Sequence, residues 1–169
     1  MKMAIFEVDR RWYGMDISFI REISRMREIT PVPETEKYME GVITREEKAI
    51  PVFNLAKKFG NINTTSSANK SNRIILTEND NKLTAFLVDK VIDIINIKEP
   101  EIIKIDQEFN ETECFNDGLK INDKFILLIN SKKLLENIRT HKNIEVYSPT
   151  IPIKTEEKSK NMEKTKHGE

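Results

Sequence analysis

Nucleophiles and metal ligands are few in this 169-residue chain, and they are badly placed for one another. The one cysteine, Cys114, has no histidine near it in the body of the sequence. The two histidines, His141 and His167, stand in or beside a charged C-terminal stretch. A reactive thiolate needs a neighbouring base or cation, and a zinc site draws on clustered Cys and His. Asp89 and Asp93 resemble an acid–base pair, but exposed strand or turn positions account for both. Ser18 and Ser24 have no evident base, and the five glycines are scattered singly instead of gathering in a phosphate-binding loop. No catalytic residue, metal site or cofactor is expected.

Nucleic-acid binding needs aromatic platforms ringed by basic residues. Aromatics make up only 7% of the chain, and Trp12 and Tyr13 sit in an apolar hairpin where core packing is their default. Arg25, Arg27 and Lys37 form a weak basic patch, diluted by Glu22, Glu28, Glu34 and Glu36. With 28 cationic and 28 acidic side chains the formal charge is zero, against a general binder of polyanions or membrane surfaces. No apolar run approaches the ~20 residues of a membrane span, and the N-terminus lacks the pattern of a signal peptide. A lone cysteine fits a reducing compartment. The expectation is a soluble, cytoplasmic protein without nucleic acid or direct membrane insertion.

The elements around these residues are short and β-rich. Ala4–Val8 and Trp12–Ile17 flank Asp9-Arg10-Arg11 and read as a hairpin. Ile17–Ile23 is ambiguous between a helical turn and a bent strand. Thr30-Pro31-Val32-Pro33 must be irregular, and Glu34–Met39 reads as one or two helical turns before Gly41. Val42–Thr44 and Ala49–Phe53 form a second hairpin about a charged turn, with Pro51 suggesting an edge or bulge. Leu55–Phe59 is a short helix stopped at Gly60. Asn61–Asn72 reads as a mobile polar loop. Strand sequence resumes at Arg73–Thr77, and after a turn Leu83–Ile97 is long enough to require a break near Asp89-Lys90. Gln107–Asp117 reads as loop, Lys124–Asn130 as a buried strand, and Ser131–Ile138 as a helix capped by its serine. Residues 1–140 form the folded unit. Residues 141–169 read as a charged, disordered tail, because so polar a segment cannot offset its ordering entropy.

The two halves echo each other. Tyr13–Ile23 and Thr84–Ile94 share a pattern of small, apolar, acidic and isoleucine positions 71 residues apart, Tyr13 matching Thr84. Ile50–Asn54 and Ile126–Asn130 form a second pair, each running into lysine-rich helical sequence. Two copies are too few for a solenoid. The pattern implies two similar β-lobes, echoing segments at about 4–60 and 73–138, whose thin cores must share buried surface.

Taken in order, the segments resemble the CheW family of chemotaxis coupling proteins. The matching runs are Phe6-x-Val8, Tyr13-Gly14-Met15-Asp16-Ile17-x-x-Ile20-x-Glu22-Ile23, Ile29-Thr30-x-Val32-Pro33, Gly41-Val42-Ile43, Ile50-Pro51-Val52-x-x-Leu55, Phe86-Leu87-Val88-Asp89-x-Val91-x-Asp93-Ile94, Gly118-Leu119 and Phe125–Ile129 with Leu134-Leu135. The resemblance spans Ala4 to about Ile138. It implies a mainly β fold of two SH3-like five-stranded barrels packed side by side, with a few short helices. It also implies an adaptor without enzymatic activity, binding the cytoplasmic hairpin tip of a chemoreceptor and the regulatory domain of the histidine kinase CheA. Ile20, Glu22, Ile29, Gly41 and Val42 match positions near the receptor groove, and Phe86, Val88 and Val91 belong to the corresponding stretch of the second half.

Three departures stand out. The family's Asn-Leu/Ile-Arg-Gly motif reads Thr44-Arg45-Glu46-Glu47 here, so the arginine position falls on Glu46 with Arg45 beside it. Lys120 and Asn54 replace a usual glycine and aspartate. Arg45 and Glu46 are therefore candidate partner-binding residues with altered chemistry. The alternative from another class is a small β-barrel that binds nucleic acid or a small ligand.

Overall fold

The computed structural model describes residues 1–61, 69–106, 108 and 114–140. The tail expected from 141 lies outside them, as do 62–68 of the loop expected to be mobile and most of the loop at Gln107–Asp117.

Four tight hairpins supply eight of the strands: β1 (Lys2–Val8) with β2 (Arg11–Asp16), β4 (Met39–Arg45) with β5 (Lys48–Asn54), β6 (Arg73–Asn79) with β7 (Lys82–Val88), and β10 (Asp117–Ile121) with β11 (Lys124–Leu128). Each turns through two residues at positive φ: Asp9-Arg10, Glu46-Glu47, Asp80-Asn81 and Asn122-Asp123. Positive φ at both central positions is the type I′ geometry, whose twist matches that of paired strands. Asn and Asp tolerate this conformation. Glu46 and Glu47, with φ of 49° and 63°, adopt it without glycine's freedom.

The remaining strands are β3 (Ile20–Arg25), β8 (Lys90–Asn96) and β9 (Ile102–Lys104), with helices α1 (Leu55–Lys58) and α2 (Ser131–Thr140). The long run from Leu83 to Ile97 breaks at Asp89, as expected. Three local expectations are corrected. Glu34–Met39 is not helical: Glu34 lies at φ 60°, and the Met39 N–H closes only a turn onto the Glu36 carbonyl. Pro51 is not on an edge, since β5 lies between β4 and β7, and the bulge of this hairpin falls between Met39 and Gly41 and not at the proline. Pro51 fits there because its partner Val42 spends both backbone groups on Thr30, each at 2.9 Å, leaving no donor to be missed. The cap of α2 is Asn130, whose Oδ1 accepts from Lys133 N at 3.1 Å, while Ser131 lies buried inside the first turn.

Strand order is β8-β1-β2-β11-β10-β9 in one sheet and β3-β6-β7-β5-β4 in the other. The echoing segments 4–60 and 73–138 therefore do not make one sheet each. The first hairpin of each half has crossed into the sheet of the other half. Each crossing is sealed by a parallel pair, β2 with β11 and β7 with β5, in equivalent register: Leu128 opposite Gly14, and Val52 opposite Ala85. Sequence periodicity reports which residues are apolar but not which copy of a repeat they pair with.

Both sheets curl closed. Ile92 and Ile95 of edge strand β8 share one apolar cluster with Ile102 of β9, at the far edge of the same sheet. In the five-stranded sheet, edge strands β3 and β4 are joined by an ion pair, Arg45 to Glu22. These are the two SH3-like barrels, one of five strands as expected and the other of six, with the three-residue β9 at its edge. One core lies inside each: Met3, Ile5, Leu119, Ile126 and Leu128 in the first, and Ile43, Ile50, Val52, Ile74, Leu76 and Leu87 in the second. The third and largest core lies between them, where Phe6, Val8, Met15, Phe53, Phe86 and Val88 meet Leu134, Leu135 and Ile138 of α2. β1 and β7 are thus buried on both faces, which is why they read as continuous apolar runs.

Candidate protein-docking surface

β3 carries the first group of candidates. Its entry is set by Asp16, whose carboxylate accepts from Ser18 N at 2.9 Å and caps a short 3-10 turn at Ile17–Phe19. Glu22 then holds two cations: Arg27 Nη2 donates to Oε1 at 2.8 Å, and Arg45 Nη1 lies 2.8 Å from Oε2. All three side chains are 29–39% exposed, so the cluster is at the surface and still visible to a partner. Sequence reasoning found Glu22 and Arg45 separately. It missed Arg27 as their third member, although that contact spans only five residues, whereas the Arg45–Glu22 pair forms only when the barrel closes.

Gly41 is fixed by close approach. Its φ is 144°, and a Cβ there would lie 2.1 Å from the Thr30 carbonyl oxygen. Removing that side chain lets the Thr30–Val42 bridge form, and Ile29 packs half-buried onto the barrel interior beside it. Gly41, Val42 and Ile29 thus form one local unit that shapes the rim of the second barrel.

Ile20 and Val91 sit at equivalent positions 71 residues apart, Ile20 on β3 of one barrel and Val91 on β8 of the other. Both are half-buried against the inter-barrel core, alongside Phe19 and Ile23. The structure therefore brings apolar side chains from both barrels to the border of one seam. Phe86 and Val88 need correction: at 0% and 1% exposure they lie within that core and present no surface. Two-sided burial of β7 hides them, and an alternating pattern could not distinguish this seam from a free face. Glu46 is exposed at the tip of its hairpin.

Beside the inter-barrel core, α1 and α2 add a polar cluster. Lys57 Nζ lies 2.7 Å from Glu40 Oε1, which also accepts from Asn54 Nδ2 at 3.0 Å. Lys58 stands 4.5 Å above the Tyr38 ring and donates to Asn137 of α2. Burial pushes the Lys58 ammonium below its ordinary pKa, opposed by Cys114 and Glu36 nearby. Burial likewise raises the Tyr38 phenol, helped by Glu36. Asn54 and Asn130 are equivalents here. Each caps the following helix, and their N–H groups donate to the carbonyls of Tyr38 and Cys114 respectively.

Among the described residues no group of three or more His, Cys, Asp or Glu side chains could hold a metal ion, and no helix is long and apolar enough to cross a membrane. What the surface offers is shape, apolar area and paired charge, which suit a protein partner.

The model of the CheW-like domain family matches residues 2–139. The chain belongs to the CheW-like family. The chemotaxis protein CheW of Thermotoga maritima is 28% identical over 142 residues, covering 82% of this chain and 90% of that protein. CheW of Helicobacter pylori is 26% identical over 125 residues, covering 73% and 74%. Among solved structures, the scaffolding protein TtCheW from Thermoanaerobacter tengcongensis superposes with a TM-score of 0.68 at 32% identity, over 76% of this chain and 83% of that one. The CheW-like family is one of chemotaxis scaffold proteins, and the two-barrel architecture is common to this chain and that solved scaffold. In this CheW-like chain the altered motif Thr44-Arg45-Glu46-Glu47 keeps a tight type I′ hairpin, and Arg45 is turned to Glu22.

Proposed function

We propose that this chain is a non-enzymatic chemotaxis adaptor of the cytoplasm, coupling methyl-accepting receptors to the histidine kinase CheA. The CheW-like match across residues 2–139 carries this reading, and the apolar border of the seam supports it. A receptor tip is a helical hairpin, and an apolar groove receiving one helix face is a recurrent recognition mode. Ile20 and Val91 supply apolar contacts from both barrels, while Glu22 with Arg45 and the Gly41–Val42 rim flank the β3 side. Control of the kinase then requires no chemistry from this protein. Differential binding to two receptor states, a coupling of ~1–3 kcal/mol, is enough.

Calorimetry with a receptor signalling fragment and with the kinase regulatory domain tests the reading. Both should bind, and Ile20→Asp or Val91→Asp should weaken the receptor fragment by about tenfold or more with the fold intact by circular dichroism. Binding to neither partner, with retention on nucleic acid, would replace this reading with that of a nucleic-acid-binding barrel.

A further inference from the structure

On the first barrel, away from Glu22, Arg45 and the Gly41 rim, two hairpins enclose a cleft of about 390 Å³. Arg10, Arg11 and Trp12 come from the β1–β2 hairpin, and Lys124, Phe125 and Leu127 from β11. Three of the six lining residues are cations and none is a carboxylate. Among the described residues, Arg10, Arg11 and Lys124 form no ion pair. Lys124 Nζ lies 3.8 Å from the centre of the Trp12 ring, and the indole N–H donates to Glu7 Oε2 at 3.1 Å, so the tryptophan is held from its face and its edge. Phe125 is 48% exposed, and a Cβ on Gly118 would strike its ring at 2.2 Å, so that glycine gives the ring room to lie on the sheet. The β1–β2 turn is tied down by Asp89, whose Oδ2 accepts from Asp9 N at 2.7 Å.

We propose that this cleft is a second docking site, and that its occupant is a short acidic protein segment carrying one apolar side chain. Charge decides the occupant: Arg11 also bonds the Tyr13 hydroxyl and Lys124 lies on the Trp12 ring, but none of the three cations has a carboxylate partner among the described residues, so together with the apolar floor they call for carboxylates flanking a hydrophobic anchor. The volume is near the lower end of ligand pockets, which suits a few side chains and not a folded face. A single-stranded nucleic acid fits less well. It tracks a row of aromatic faces for successive bases, and with Lys124 on the Trp12 face the cleft offers the Phe125 ring alone. The site goes beyond the adaptor reading, since it uses none of the residues assigned to receptor recognition.

Trp12 is the only tryptophan in the chain, so its emission reports on the cleft directly. The full-length protein is titrated with a blocked peptide of paired glutamates around a leucine. Controls are the same peptide with serine for leucine, one with lysines for glutamates, and a short oligothymidylate. A saturable change with the acidic leucine peptide alone is expected, weakened about tenfold by Arg10→Glu with Arg11→Glu and reduced by salt. Phe125→Ser should weaken it while leaving the thermal midpoint unchanged. No saturable change at millimolar peptide, equal binding of the lysine peptide, or tighter binding of the oligonucleotide would overturn the proposal. So would an emission change on simple dilution of the protein, which would show a second copy in the cleft.

Discussion

At the scale of single residues, the hairpin tip at Glu46-Glu47 combines strain with exposure. A non-glycine residue at positive φ costs roughly 1–2 kcal/mol, partly recovered through the stiffer unfolded chain. Glu47→Gly should therefore stabilise the protein by about 0.5–1 kcal/mol, read as a shift in denaturation midpoint at constant m-value. Arg45, a candidate partner-binding residue, is engaged with Glu22 across the closure of the barrel. Arg45→Ala should cost up to ~1 kcal/mol, the usual range for a partly exposed ion pair, and a double-mutant cycle with Glu22→Ala should recover that coupling. Zero coupling would mean that the pair does not help to close the barrel. Buried phenols add a pH signature. Tyr13 and Tyr38 both have pKa values raised above the ordinary 10.0, chiefly by burial. In the window above that value the native state binds more protons than the unfolded chain, so these groups make stability fall as pH rises through it. Lys58, with its lowered pKa, acts in the opposite sense. Tyr13→Phe should flatten the alkaline decline in urea titrations, and an unchanged slope would rule the phenol out as its cause.

At the scale of elements, two glycines with crowded Cβ positions should behave very differently. Gly41 faces backbone: an added methyl would meet the Thr30 carbonyl at 2.1 Å, and φ 144° is itself unfavourable for any other residue. Gly118 faces the Phe125 ring, an exposed side chain that can swing aside. Gly41→Ala should displace the Thr30–Val42 bridge and destabilise by several kcal/mol, on the order of 3 or more, whereas Gly118→Ala should cost under ~1.5 kcal/mol. Amide exchange at Val42 and Thr30 separates the two outcomes. Phe86 belongs with β7 and the inter-barrel core, not with the docking surface. Phe86→Ala should cost ~3–5 kcal/mol, and any loss of receptor binding should track the unfolded fraction.

For the whole molecule, the exchanged hairpins make the barrels interdependent. Neither barrel has all its strands without both halves of the chain, and the third core is shared between them. Trp12 emission, local to the first barrel, and far-UV circular dichroism of both should therefore report a single coincident unfolding transition. Two separated transitions would show that the barrels fold independently.

Much of this fold was legible in the sequence, because hairpins are local. The alternation of β1 and β2, the break at Asp89 and the α1 boundary at Gly60 all follow from residues within a few positions of one another. The want of clustered nucleophiles and ligands and the succession of CheW-like segments are also properties of the linear chain, and they identified the family. Tertiary structure alone decided which copy of the repeat each hairpin joins, that Phe86 and Val88 are sealed in the seam while Ile20 and Val91 border it, and that Arg45 meets Glu22. It also brought Trp12 and Lys124 together, residues that the sequence assigns to opposite ends of the chain. The physical reason is common to all of these. Periodicity and turn chemistry are short-range and specify what each strand needs, an apolar face and a partner. The choice among nearly equivalent partners rests on long-range packing around three cores, whose energy is collected only when the chain has closed.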